Sequence, residues 1–239
     1  MAKKKLSRFS RIELKYLLNQ EQYSALIAAV KEHMKSDEYG ESVIMNIYFD
    51  TPDFKLIRAS IEKPAYKEKL RLRSYGKPND DSIVFLELKK KYQKIVYKRR
   101  ENAPLCKMQK YFDTGDLPFE SQIFKEIDYF FNFYKDLAPK MFISYLREAY
   151  FDKENPELRI SFDTEITCRD YDLDLKLGVY GQKLLESGLH LMEIKAVGAM
   201  PLWLAHTLSE NKVYRTSYSK YANAYKKLFQ RGFEKCSTV

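Results

Sequence analysis

Three times in this chain a glutamate and a lysine stand two residues apart around an apolar residue: Glu13-Leu-Lys15, Glu87-Leu-Lys89 and Glu193-Ile-Lys195. Each tripeptide lies in a stretch rich in strand-forming residues. Side chains on a strand alternate between faces, so the two charges of each tripeptide share one face and the apolar residue takes the other. The same period of two runs through Lys67, Lys69, Arg71 and Arg73, with Leu70 and Leu72 opposite, and through Arg159, Ser161 and Asp163, opposite Leu158, Ile160 and Phe162. Arg147 lies in a further strand, between Tyr145 and Ala149. Such strands can only build a sheet with one apolar face and one densely charged face.

Taken strand by strand, that pattern is an antiparallel sheet with a wet face. The helices argue for more. Eight strands are predicted, at Ser10–Leu18, Ser42–Asp50, Tyr66–Tyr75, Ser82–Lys91, Gln93–Glu101, Lys140–Asp152, Leu158–Arg169 and Leu189–Ala196. Between them, Asn19 caps a helix whose stripe is Tyr23, Leu26, Ile27, Val30 and Met34, and Thr51-Pro52 opens a second, with proline at its first position. Ser121–Tyr134 carries Ile123, Phe124, Ile127, Phe130 and Phe131, and Pro201–Asn211 and Ser219–Arg231 close the chain. These apolar stripes need apolar ground to dock on, and each strand offers one apolar face. Helices outside and charges inside satisfy both, giving an α+β fold, an eight-stranded antiparallel β tunnel (closed barrel) with a charged lumen. Asn102–Pro118 reads as an excursion without structure of its own, and residues 1–239 read as a single domain.

A lumen crowded with cations must hold water, counter-carboxylates and an anion, since unpaired buried charge is very costly. Phosphate chains are slim, densely anionic and matched to the forked geometry of arginine. The chain's formal net charge of +9 points the same way but selects no single polyanion. At Ser217-Tyr-Ser-Lys-Tyr221 the last helix opens with a lysine in its first turn. That placement suits an anion at the helix start; it suits equally a plain serine cap with Lys220 turned to solvent. Cys106, Cys168 and Cys236 lack metal spacing and read as free thiols of a reducing cytoplasm. His33, His190 and His206 read as surface or core residues. No stretch has the length and apolarity of a membrane span, and no secretory signal opens the sequence.

Eight segments, in order across nearly the whole chain, together resemble the VTC domain, the catalytic module of polyphosphate polymerases within the triphosphate tunnel (CYTH-like) superfamily. They are Arg11-Ile-Glu-Leu-Lys-Tyr16, Tyr48-Phe-Asp-Thr-Pro52, Leu70-Arg-Leu-Arg-Ser-Tyr-Gly76, Phe85-Leu-Glu-Leu-Lys89, Tyr145-Leu-Arg-Glu-Ala-Tyr150, Leu158-Arg-Ile-Ser-Phe-Asp-Thr164, Leu191-Met-Glu-Ile-Lys195 and Ser217-Tyr-Ser-Lys-Tyr221. The resemblance implies transfer of the γ-phosphate of ATP to a growing inorganic polyphosphate chain. By position it implies that Lys15, Arg71, Arg73, Lys89, Arg147, Arg159 and Lys220 bind phosphate, with Tyr145, Ser219 and Ser217 as lesser contacts. Glu193 takes the place of the family's metal-binding glutamate, for Mn²⁺ or Mg²⁺.

The hydrolytic tunnel enzymes open with Glu-x-Glu-x-Lys, and Arg11 stands at the first of those positions here, which favours the polymerase branch. A tunnel-fold triphosphatase and a noncatalytic polyphosphate-binding module are the competing readings. The phosphate-sensing and membrane domains of eukaryotic relatives have no counterpart in this sequence, which leaves regulation and export to a membrane-protein partner. Nucleic acid is not an expected partner: Lys89–Lys91 and Lys98–Arg100 read as solvated edges, with Tyr92 and Tyr97 as packing residues.

Overall fold

The computed structural model describes residues 11–62, 64–93, 95–155 and 157–230. They form two compact units. The first takes the described residues up to Glu41 with Arg147–Thr164 and Glu186–Tyr218; the second takes Ser42–Leu146, Glu165–Leu185 and the described residues from Ser219 onward. Strands β2 (Met34–Asp50), β6 (Ala138–Asp152) and β7 (Arg159–Arg169) contribute residues to both.

In the second unit β6, β2, β3 (Tyr66–Tyr75), β4 (Ile83–Tyr92) and β5 (Ile95–Pro104) are neighbours in that order, and the two-residue β8 (Gln182–Lys183) pairs with β7. The register is antiparallel and places Ile47 beside Leu72, Phe49 beside Leu70, Leu70 beside Leu88 and Leu72 beside Leu86. That apolar face is covered by helices α3 (Leu105–Thr114) and α4 (Gln122–Phe133). Leu105, Met108 and Tyr111 of α3 and Phe124, Ile127 and Phe130 of α4 are buried in one cluster with these strand residues. Each such side chain contributes about 1.5–3 kcal/mol by leaving water. Ser121 caps α4 by accepting from the Phe124 N–H at 3.0 Å. Gly115, at φ 79°, ends α3 in the left-handed region, its N–H donating to the Tyr111 carbonyl.

In the first unit β10 (Arg215–Thr216), β1 (Arg11–Leu18), β9 (His190–Val197) and β7 are neighbours in that order. Their apolar face packs on α1 (Gln20–His33) and α5 (Leu202–Glu210), with Leu18, Leu26, Val30, Ile160, Phe162, Met192, Ile194 and Leu204 in one buried cluster. Asn19 starts α1 with a capping box: its side chain accepts from the Gln22 N–H, and the Gln22 side chain accepts from the Asn19 N–H.

The sheet is antiparallel with helices on its apolar face, as the alternation predicts. Setting aside the two-residue β8 and β10, the described residues form the eight strands expected. Among the described ladders β5 pairs only with β4 and β10 only with β1, so the expected closure of the barrel is not made by backbone hydrogen bonds.

Three local expectations are corrected. The excursion predicted at Asn102–Pro118 is the end of β5 followed by α3, whose buried face is Leu105, Met108 and Tyr111. Thr51-Pro52 forms a turn, and α2 (Lys55–Glu62) starts later. Its free N–H groups at Leu56 and Ile57 donate to the carboxylate of Asp50, which also accepts from the Tyr221 hydroxyl at 2.9 Å. Met34 caps the end of α1 and begins β2, eight residues before the predicted strand start.

Phe124→Ala is expected to lower stability by about 3–5 kcal/mol in urea unfolding, the cost of a large void in a closed cluster. Tyr129→Ala, on the exposed face of the same helix, is expected to change it by less than about 1 kcal/mol.

Candidate functional site

The polar face of the second unit follows from register. Asn46 and Tyr48 of β2 stand beside Arg73 and Arg71 of β3. Arg73 and Arg71 stand beside Phe85 and Glu87 of β4, and these beside Asn102 and Arg100 of β5. One step further along, Lys69, Lys89 and Lys98 stand abreast on three successive strands. Like charges directly opposite one another repel.

The carboxylate set among them is Glu87, only 2% exposed. Its oxygens lie 2.7 Å from Arg71, 2.7 Å from Lys98, 3.3 Å from Arg100 and 3.8 Å from Arg73. Burial alone would raise its pKa, but Arg71, Arg73 and Lys98 outweigh burial and hold it well below the usual carboxylate range. Burial in turn pulls the Lys98 ammonium below the ordinary lysine value, against the opposing pull of Glu87.

The arginines are oriented by neutral partners as well. Arg71 donates to the Tyr48 hydroxyl at 3.0 Å. Arg73 donates to Asn46 Oδ1 at 2.9 Å and to the Tyr145 hydroxyl at 3.2 Å. The Lys220 ammonium lies 4.2 Å from the centre of the Tyr145 ring. Lys69 donates to Ser219 Oγ at 3.1 Å, and the same oxygen accepts from the Ala222 N–H as the cap of α6 (Lys220–Tyr225). Of the residues singled out in the sequence, this unit therefore brings Arg71, Arg73, Tyr145 and Lys220 into one connected group, places Lys89 on the same face, and ties Ser219 to that face through Lys69.

The first unit builds a different pattern from two Glu-x-Lys tripeptides. Antiparallel pairing of β1 with β9 sets Lys15 opposite Glu193 and Glu13 opposite Lys195, so opposite charges alternate across the ladder. Glu193 lies 2.5 Å from Lys195 and 3.7 Å from Lys15, and Glu13 lies 3.5 Å from Lys15. Burial would raise the Glu193 pKa, but Lys195 and then Lys15 overcome it and depress the value. On β7, Ser161 stands beside Glu193 and Arg159 beside Lys195. Arg147 makes a two-pronged bond to the fully buried Asp163, at 2.6 and 2.8 Å. Lys15 also donates to the Tyr218 carbonyl at 3.0 Å. Ser217 is exposed just after β10. The Arg11 side chain lies outside what the structure describes.

Sequence reasoning passed over Asn46, Tyr48, Lys98, Arg100, Lys195 and Asp163. Lys98–Arg100 read as a solvated edge, yet Lys98 and Arg100 turn to Glu87 while Arg99 turns to the other face and meets Glu126 at 2.7 Å. The period of two in β5 was the available signal. Tyr92 and Tyr97, expected to pack, are about half exposed. The histidines are structural or exposed, as expected: His190 stacks on Tyr23, His33 stacks on Trp203, and His206 faces solvent. Cys168 is buried, and burial pushes its thiol up to about 11; Cys106 is exposed.

Among the described residues no three His, Cys, Asp or Glu side chains gather as a metal cage. The Glu193 carboxylate is an oxygen donor of the kind a hard divalent ion takes, and its two oxygens meet lysine ammonium groups, Lys195 at 2.5 Å and Lys15 at 3.7 Å.

Two solved structures share this fold. One is a Hippeastrum protein assigned as an adenylyl cyclase and described as having a dominant triphosphatase activity, 18% identical, with 91% of this chain and 96% of that one covered at a TM-score of 0.57. The other is a Bacillus halodurans protein assigned as an adenylate cyclase, 16% identical, with 92% and 97% covered at a TM-score of 0.54. The likeness is one of fold, an antiparallel sheet with helices on its apolar face. The chain belongs to the VTC domain family, whose sequence model matches residues 10–229. No curated protein matches the sequence.

Glu87→Gln removes the one charge that four cations share and is expected to lower the stability of the unliganded protein by about 3–5 kcal/mol. Tripolyphosphate, by supplying anions to the same cations, is expected to restore much of the lost melting temperature. Because the folded pKa of Glu87 is depressed, its stabilising contribution is present above the ordinary carboxylate value and is lost as pH falls through the depressed one. Acid unfolding curves of wild type and variant are therefore expected to converge at strongly acid pH.

Proposed function

We propose that the chain is a polyphosphate polymerase, transferring the γ-phosphate of ATP to the end of an inorganic polyphosphate chain. The observation that carries this reading is the face of β3, β4 and β5, where lysines stand abreast and arginines crowd one carboxylate. A face so rich in ammonium and guanidinium groups suits a repeating anion. Family membership supports the same substrate class.

In this reading Arg71 and Arg73 donate to nonbridging oxygens, held in place by Tyr48, Asn46 and Tyr145. Lys89 and Lys220 add charge along the same unit, with Tyr145 and Ser219 as neutral contacts. In the first unit Lys15, Arg147 and Arg159 serve phosphate in the same way, and Ser217 supplies a hydroxyl. Glu193 would hold Mn²⁺ or Mg²⁺, which supplies Lewis-acid neutralisation of charge on phosphate oxygens.

The reaction asks little covalent chemistry of the protein. A terminal oxygen of the polyphosphate chain forms a bond to the γ-phosphorus, the bond from that phosphorus to the β,γ-bridging oxygen breaks, and ADP leaves with the electron pair. The attacking oxygen is already ionised at neutral pH, so no general base is needed. The protein's part is to align two polyanions that repel one another and to offset their charge.

A second reading, triphosphate hydrolysis, is favoured by the Hippeastrum neighbour with its dominant triphosphatase activity. Incubation with ATP and Mn²⁺, followed by sizing of the products on a gel, separates the two. Phosphate chains are expected; ADP and orthophosphate alone, across the metal titration, would establish the hydrolase.

Glu193→Gln keeps the side-chain shape and removes the charge a divalent ion needs. It is expected to abolish metal-dependent turnover while polyphosphate binding in chelator, measured by calorimetry, stays intact or tightens. Glu13→Gln is expected to affect turnover more mildly. Equal loss in both variants would mean that the two carboxylates share the metal.

A further inference from the structure

The end of the β4–β5 hairpin is built unlike the rest of either strand. Tyr92 pairs with Ile95, and Lys91 with Val96, where the chain reverses. On the neighbouring strand Tyr66 stands beside Tyr92, their ring centres 6.4 Å apart. Tyr66, Tyr92, Ile95, Val96 and Tyr97 are all 46–51% exposed. Five large apolar or aromatic side chains, Val96 on one face and the other four on the opposite face, leave the end of this ladder with apolar surface open to solvent.

Charge surrounds this tip. Between Glu87 and Glu101 the sequence has no acidic residue and carries Lys89, Lys90, Lys91 and Lys94 besides Lys98, Arg99 and Arg100, which are engaged by Glu87 and Glu126; Lys90 lies 3.5 Å from Glu68. Lys67 and Lys91 stand beside each other one step back from the end, and Lys90 stands beside Tyr97 on the other face. An apolar point with a collar of ammonium groups matches the cross-section of an anionic bilayer surface. Aliphatic side chains enter the acyl boundary, tyrosines settle among headgroups, and lysines meet the negative surface charge.

We infer that the β4–β5 hairpin tip is a membrane anchor through which the chain itself docks on an anionic lipid surface. Single-stranded nucleic acid is the nearest other polyanion for exposed tyrosines among lysines. Ile95 and Val96 decide against it, because aliphatic side chains in the last two pairs of the ladder offer bases no stacking face, whereas burial in lipid rewards them.

The test uses the full chain and vesicles of equimolar phosphatidylcholine and phosphatidylglycerol, beside vesicles of phosphatidylcholine alone. Flotation is expected to recover the protein with the anionic vesicles and not with the neutral ones, and less of it as salt rises. The combined variant Tyr92→Ser, Ile95→Ser, Val96→Ser and Tyr97→Ser keeps every charge. Partitioning is expected to fall about tenfold or more, with circular dichroism and melting temperature unchanged. Val96→Trp, placed in a Trp203→Phe background, is expected to shift its fluorescence to the blue on adding anionic vesicles. Equal binding by the serine variant would mean that net charge adsorbs the protein without the tip, and would overturn the inference. So would an unshifted emission spectrum from the Val96→Trp variant, or binding to a single-stranded oligonucleotide through the same residues without binding to vesicles.

Discussion

One buried carboxylate governs the arrangement of the second unit. Glu87 sits on the central strand of three, with Arg71 and Arg73 on one side and Lys98 and Arg100 on the other. Remove it, and four cations face each other with the charge they share gone. Keep it, and the next step along the strands still sets Lys69, Lys89 and Lys98 abreast. Each like-charged pair costs roughly 0.2–1 kcal/mol. In the function proposed above, such rows are retained for a guest that offsets them.

The first unit makes the opposite choice with the same tripeptide. There Glu13-Leu-Lys15 and Glu193-Ile-Lys195 lie on adjacent antiparallel strands, so each glutamate faces a lysine. The third copy, Glu87-Leu-Lys89, has cations beside it on both sides: Arg71 and Arg100 face the glutamate, while Lys69 and Lys98 face the lysine. One motif thus gives an alternating ladder in one place and a cationic row in another, and the partner strand decides which. In both units the opposite face carries the apolar cluster on which helices pack.

What was legible in the sequence follows the same division between local and nonlocal physics. Period-two alternation located β3 with its observed ends, and apolar stripes with caps located α1 and α4. Arg71 and Arg73 were visible as a pair because both lie on one strand. Their partners were not: Glu87, Lys98 and Arg100 join them only through register across two ladders. Likewise the two-pronged bond of Arg147 to Asp163 spans strands that the sequence shows only separately. Helix α3 escaped because its stripe of Leu105, Met108 and Tyr111 is short and follows Pro104 directly. At the start of α2 the Thr51 hydroxyl accepts from the Lys55 N–H, as the sequence pattern suggests, while the Asp50 carboxylate, which that pattern did not single out, accepts from the next two N–H groups.

If the cationic rows exist for a phosphate chain, filling them must stiffen the strands that carry them. Amide hydrogen exchange read by mass spectrometry, with long-chain polyphosphate or with sulfate at equal ionic strength, tests this on the wild-type chain without relying on turnover. Slower exchange in peptides covering Tyr66–Tyr75, Ile83–Tyr92 and Ile95–Pro104 with polyphosphate, and little change with sulfate, is the expected result. Exchange in these strands that is indifferent to polyphosphate, or that responds equally to sulfate, would contradict the account.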